Sequence, residues 1–146
     1  MTYPRPFIAV TTLLMLFSAS VAAHSGATGV VKERMDRFTE SQKSMKVIAR
    51  ALKSSQFDEV ADHAERILIW SVQMEDLFPQ GSNPKPSEAL DTIWQQPEAF
   101  AKAAQTSADA AARLMALAED GDGTAATAAF KELAASCSSC HRKFRK

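Results

Sequence analysis

An all-α chain folded as an antiparallel four-helix bundle is the architecture this sequence predicts. Three observations carry it. In four stretches the apolar residues recur at spacings of three and four, the signature of a helix with one buried face. No stretch of useful length alternates apolar and polar residues as a half-buried strand does, and alanine, the best helix former, is abundant. The connections are short except for one, which suits antiparallel neighbours in a bundle.

Met1–Ala23 stands apart. Arg5 supplies a positive n-region, Phe7 to Phe17 is apolar apart from two threonines, and Val21 and Ala23 fit the −3 and −1 positions of a cleavage site. That is the pattern of a secretory signal peptide, and its apolar run is too short for a stable membrane span. Cleavage leaves residues 24–146, roughly 120 residues and one domain's worth of chain. Lys plus Arg and Asp plus Glu both number 17. Basic residues do not cluster, so a nucleic-acid partner is not expected.

The first helix is read at Gly29–Lys53, with Val31, Met35, Phe38, Met45, Ile48, Ala49 and Leu52 as its stripe. The second runs from Phe57 to Leu77 on Val60, Ala64, Ile67, Leu68, Ser71, Met74 and Leu77, and Pro79 cannot continue it. Gln80–Asp91 is a loop punctuated by Gly81, Pro84 and Pro86, long for a bundle connection. A short turn at Thr92-Ile93-Trp94 is placed to pack back on the core.

Pro97 suits the first turn of the third helix, which runs to Glu119. Its inward residues are Phe100, Ala103, Ala104, Ser107, Ala111, Leu114, Met115 and Ala118, mostly small. Glu119-Asp120-Gly121-Asp122-Gly123 superficially suggests a calcium loop. The spacing fails, because Thr124 and Ala125 occupy ligand places and no glutamate closes the loop. The fourth helix runs from Thr124, read as its N-cap, to Arg145. Ala128, Leu133, Ala134, Cys137, Cys140, His141 and Phe144 are read along its inward side.

Chemistry concentrates on that helix. Cys137-Ser138-Ser139-Cys140-His141 is the spacing of a c-type haem attachment site. Each thiol adds across one haem vinyl group, so the sulfurs must share a face. The histidine after the second cysteine then supplies an axial nitrogen. Other uses of the pair fit less well. A disulfide would close too small a loop to restrict the unfolded chain. Structural zinc needs four ligands, and only His24 and His63 remain, far apart in sequence. A thioredoxin-like pair expects a βαβ setting. His63, among Asp62, Glu65 and Arg66, reads as solvated. His24 begins a tail that reads as mobile. Trp70 and Trp94 read as core or interface aromatics.

At these residues the chain resembles the class II cytochromes c, the cytochrome c′ family. Cys137, Cys140 and His141, followed by Phe144 and Arg145, are similar to the family's C-terminal haem motif. Lys32-Glu33-Arg34 and Met45-Lys46-Val47-Ile48 are similar to its first-helix pattern. Leu77-Phe78-Pro79-Gln80-Gly81-Ser82 and Ile93-Trp94 look like the loop that packs aromatics near the haem edge.

The resemblance implies one covalent haem c, with Cys137 and Cys140 as thioether anchors and His141 as axial iron ligand. It implies that Arg34 contacts a haem propionate, while Met35 stands where glutamine is frequent. Phe38 falls at the distal position and cannot ligate iron, so a five-coordinate haem is implied. Electron transfer and binding of nitric oxide or carbon monoxide are the expected functions, in the periplasm. The competing expectation is a six-coordinate electron carrier with Met35 as sixth ligand. An enzyme is not expected: Ser41 and Gln42 on the first helix supply no distal base for peroxidase chemistry. Redox proteins and small gases are the expected partners, and a homodimer through the first two helices is implied.

Overall fold

The computed structural model describes residues 26–146; the leader read at 1–23 and the tail residue His24 lie outside the described residues. Helices α1 (Gly29–Lys53), α2 (Phe57–Gln73), α4 (Pro97–Glu119) and α5 (Gly123–Phe144) form an antiparallel four-helix bundle. A single-turn helix, α3 (Thr92–Gln95), ends the long connection between α2 and α4. α2 packs on α1 and α4, α4 packs on α5, and the α1–α5 contact is thinner. Among the described residues no strand forms, only an isolated antiparallel bridge between Ala89 and Arg145.

The helix ends differ from the sequence reading in two places. α2 ends at Gln73, and Met74–Leu77 tighten into a 3-10 turn before Pro79. The cap of α5 is Asp122, not Thr124. Its carboxylate accepts from the Ala125 amide at 2.9 Å, satisfying an otherwise orphaned donor. Gly121, at φ +71°, supplies the left-handed residue that reverses the chain between α4 and α5.

The core has two parts. An aliphatic cluster joins Ile48 and Ala51 of α1, Val60, Ala64 and Ile67 of α2, Ala111, Leu114 and Ala118 of α4, and Ala126, Ala129 and Leu133 of α5. Burying each larger side chain here stabilises the fold by about 1.5–3 kcal/mol. The alanines let the helices approach closely. A second, aromatic cluster holds Trp70, Met74, Ala89, Ile93, Phe100, Ala104 and Phe144, with Phe38, Phe78 and Trp94 packed against it. Ile93 carries the short helix α3 back onto the core, as the sequence suggests.

Register on α5 departs from the sequence reading. Ala126 and Ala129 face the core, whereas Ala128 is exposed and Ala134 half-buried. His63 is not simply solvated. Its Nδ1 lies 3.0 Å from the hydroxyl of Ser44, a buried residue of α1. The bond crosses the α1–α2 interface, where Ser44 needs a partner because little water reaches it.

Candidate functional site

The last turns of α5 bring the two thiols to the junction of the two core clusters. Cys137 packs against the aliphatic cluster and Cys140 against the aromatic one. Three residues apart on a helix, they lie on one face. Both are half-buried and free. Burial pushes the Cys137 thiol up, against smaller lowering effects of a Ser136 hydrogen bond and its own backbone. Cys140 is pushed up to about 11, first by burial and then by neighbouring Cys137. Both therefore stand protonated at neutral pH.

His141 is exposed, where the sequence reading turned it inward. It sits at the rim of the bundle, and its ring looks across at Phe38 of α1. The centroids are 6.3 Å apart and the planes at 71°. Partial burial, then the positive charge of Arg145, lowers its pKa. The imidazole is neutral at pH 7 and keeps a lone pair for a metal.

Behind Phe38 an aromatic wall continues. Phe38 meets Trp70 edge-on at 5.1 Å and Phe78 at 6.5 Å. Phe78 packs on Phe100 at 4.9 Å, and Phe100 on Phe144 at 5.2 Å. Trp94 donates its indole N–H to the Phe78 carbonyl at 2.9 Å. Trp70 Nε1 is buried with no hydrogen-bond partner among the described residues. A buried donor left unpaired is costly and points to an acceptor not supplied by the described residues.

The structure thus gathers Cys137, Cys140, His141, Phe38 and Phe144 around one end of the bundle. Three other residues singled out in the sequence sit differently. Met35 is half-buried and, among the described residues, joins neither core cluster. Arg145 is exposed and pairs with Glu88, its Nε donating at 2.6 Å. Arg34 is only 2% exposed. Its guanidinium donates to the loop after α2 and lies 4.4 Å over the Phe78 ring. Phe100 as a wall residue and the serines receiving Arg34 were not singled out by sequence reasoning. Phe100 lay on the α4 stripe, so its burial was legible and its aromatic partners were not.

These residues fit an iron porphyrin. Two thiols share one helical face, the second of them next in sequence to a neutral imidazole, beside a wall of aromatic rings. The unpartnered indole N–H of Trp70 would suit an acceptor such as a porphyrin carboxylate.

A helical bundle with this thiol, thiol and imidazole set on its last helix defines a c-type cytochrome of the four-helix class. The chain belongs to the cytochrome c′ family, whose model, described as Cytochrome C′, matches residues 29–145. It is 32% identical over 139 residues to a cytochrome c′ of Rhodospirillum rubrum, covering 93% of this chain and 95% of that one. In three dimensions it is similar to a cytochrome c prime variant from Alcaligenes xylosoxidans in complex with nitric oxide. That match has a TM-score of 0.71 at 26% identity, covering 80% of this chain and 93% of that one. A third likeness, at 24% identity and a TM-score of 0.73 over 80% and 93% of the chains, shows the fold alone. It is a cytochrome c′ described as having ligand-controlled dimer dissociation. The family binds one covalent haem c, and this chain has the two cysteines to hold it.

Proposed function

We propose that this protein is a periplasmic carrier whose haem c is anchored by Cys137 and Cys140 and ligated by His141. Phe38, which cannot ligate iron, would stand on the side away from His141 and favour a five-coordinate iron. The observation that carries this reading is the Phe38 ring standing across from the His141 ring at 6.3 Å. The haem supplies an iron that cycles between ferric and ferrous states and takes small diatomic ligands.

The chain's own residues do the rest. Cys137 and Cys140 hold the group against loss through their sulfurs. His141 presents a neutral nitrogen. Phe38 is bulky, so it restricts entry to small molecules such as nitric oxide and carbon monoxide, and it offers no hydrogen bond to steady dioxygen. The nitric oxide complex of the Alcaligenes xylosoxidans relative supports the gas-binding part. Electron transfer with redox proteins fits the same iron. α1 offers Ser41 and Gln42 but no histidine to act as a distal base in peroxidase chemistry, and we place the protein outside the enzymes.

Residues 1–23 serve as the export signal in this reading, and 24–146 form the mature domain. Among the described residues no helix is long and apolar enough to cross a membrane. On the outer face of α2, Ile69 is 48% exposed and Val72 64%. They support a homodimer through α1 and α2.

Ferric, ferrous and carbon monoxide spectra of protein matured in a host with c-type assembly machinery test the proposal. A high-spin ferrous spectrum that shifts with carbon monoxide is expected, unchanged in Met35→Ala. Sharp low-spin α and β bands that resist carbon monoxide, and that Met35→Ala abolishes, would make Met35 the sixth ligand instead.

A further inference from the structure

Arg34 is a buried cation, and among the described residues no carboxylate pairs with it. A charge taken out of water must be held by other contacts. Its Nη1 donates to the Leu77 carbonyl at 3.1 Å and the Ser82 hydroxyl at 2.7 Å. Its Nη2 donates to the Ser82 carbonyl and, at 2.7 Å, to the hydroxyl of Ser87. The four Nη–H groups of the guanidinium are thereby committed to one loop. A two-pronged grip on a carboxylate would require giving up at least one of these bonds.

The loop runs on to the iron-ligating end of α5. Ser87 also accepts from the Ala89 amide at 3.2 Å. From there the chain clasps the residues just after His141. Leu90 N–H donates to the Phe144 carbonyl at 3.0 Å, and Lys146 N–H to the Glu88 carbonyl at 2.9 Å. The Thr92 hydroxyl donates to the Lys143 carbonyl at 3.1 Å, and Arg145 pairs with Glu88. One turn along α1 from Arg34 stands Phe38, which faces His141.

We infer that Arg34 and Ser87 form a buried latch that ties the C-terminal end of α5 to α1 through residues 77–92. The latch sets the spacing between His141 and Phe38. Arg34 thus acts as a positioning residue for that spacing. The inference rests on the haem reading above for its functional consequence, and on the chain alone for the latch.

Two variants separate the roles. Arg34→Lys keeps the positive charge but cannot make the four-bonded fork. Ser87→Ala removes one receiver and leaves the charge untouched. In haem-loaded protein, amide exchange at Leu90 and Lys146 should quicken by about tenfold or more in both, the factor expected for losing a hydrogen bond to a charged group. Carbon monoxide association should change several-fold, in the same direction in both. Parent-like kinetics in Arg34→Lys with a silent Ser87→Ala would overturn the latch, leaving a role for charge alone. Faster exchange with unchanged ligand kinetics would overturn the positioning role. Should Arg34→Lys fail to accumulate, Ser87→Ala decides by the same two readouts. Protein that comes out colourless would defeat the haem reading, and the exchange rates would then decide the latch by themselves.

Discussion

Phe38→Ala tests the geometry of the site most directly. The ring meets Trp70, Phe78 and His141 edge-on, all within the range where such pairs add about 0.5–1.5 kcal/mol each. A fully buried Phe→Ala change costs about 3–5 kcal/mol. Phe38 is only half-buried, so a loss of about 2–3 kcal/mol is expected. For a domain this size that lowers the melting temperature by about 8–12 °C. The thiols and imidazole lie on α5 and are untouched, so the mass of the haem-loaded chain should differ from the parent only by the side chain removed. With the ring gone, the face opposite His141 opens, and carbon monoxide should associate at least about tenfold faster, equivalent to about 1.4 kcal/mol of barrier. Flash photolysis with calorimetry on the same sample reads both effects. A melting shift of the expected size with unaltered ligand kinetics would refute the placement of Phe38 over the iron while leaving its packing role intact.

Three further outcomes are expected. Leu133, fully buried in the aliphatic cluster, should lose about 3 kcal/mol as Leu133→Ala, read by urea unfolding. Val72→Glu should barely alter folding, within about 0.5 kcal/mol, yet shift sedimentation from dimer to monomer; a dimer that persists would move the interface elsewhere. In protein made without haem attachment, the Cys140 thiol is held protonated well above neutrality. Its alkylation by iodoacetamide should therefore rise about tenfold per pH unit from pH 8 to 10, whereas a plateau near the ordinary 9.0 would mean the thiol is not buried.

Much of the bundle was legible before folding. On α4 the expected inward residues Phe100, Ala104, Ser107, Ala111, Leu114 and Ala118 are buried, while Ala103 and Met115, also expected inward, are half-buried at the edges of the stripe. On α5 the many alanines blur that stripe. Ala128 and Ala126 look alike as letters, and only the packing of α4 against α5 decides that Ala126 is inside. The same limit applies to the cap: Asp122 and Thr124 are both good cap residues, and the Ala125 amide chooses the nearer carboxylate geometry.

The thiol pair, the adjoining histidine and four helical stripes are written in local order, so short-range periodicity and chemistry were enough to expect a haem-bearing helix within a bundle. Tertiary structure decided what lies across from that helix. It set Phe38 opposite His141 and left the indole of Trp70 without a hydrogen-bond partner among the described residues. Arg34 is the clearest case. As a letter it reads as a surface cation or a carboxylate contact. Its burial against Ser82 and Ser87 depends on a loop some fifty residues away in the chain returning to α1, and no local pattern encodes that distance.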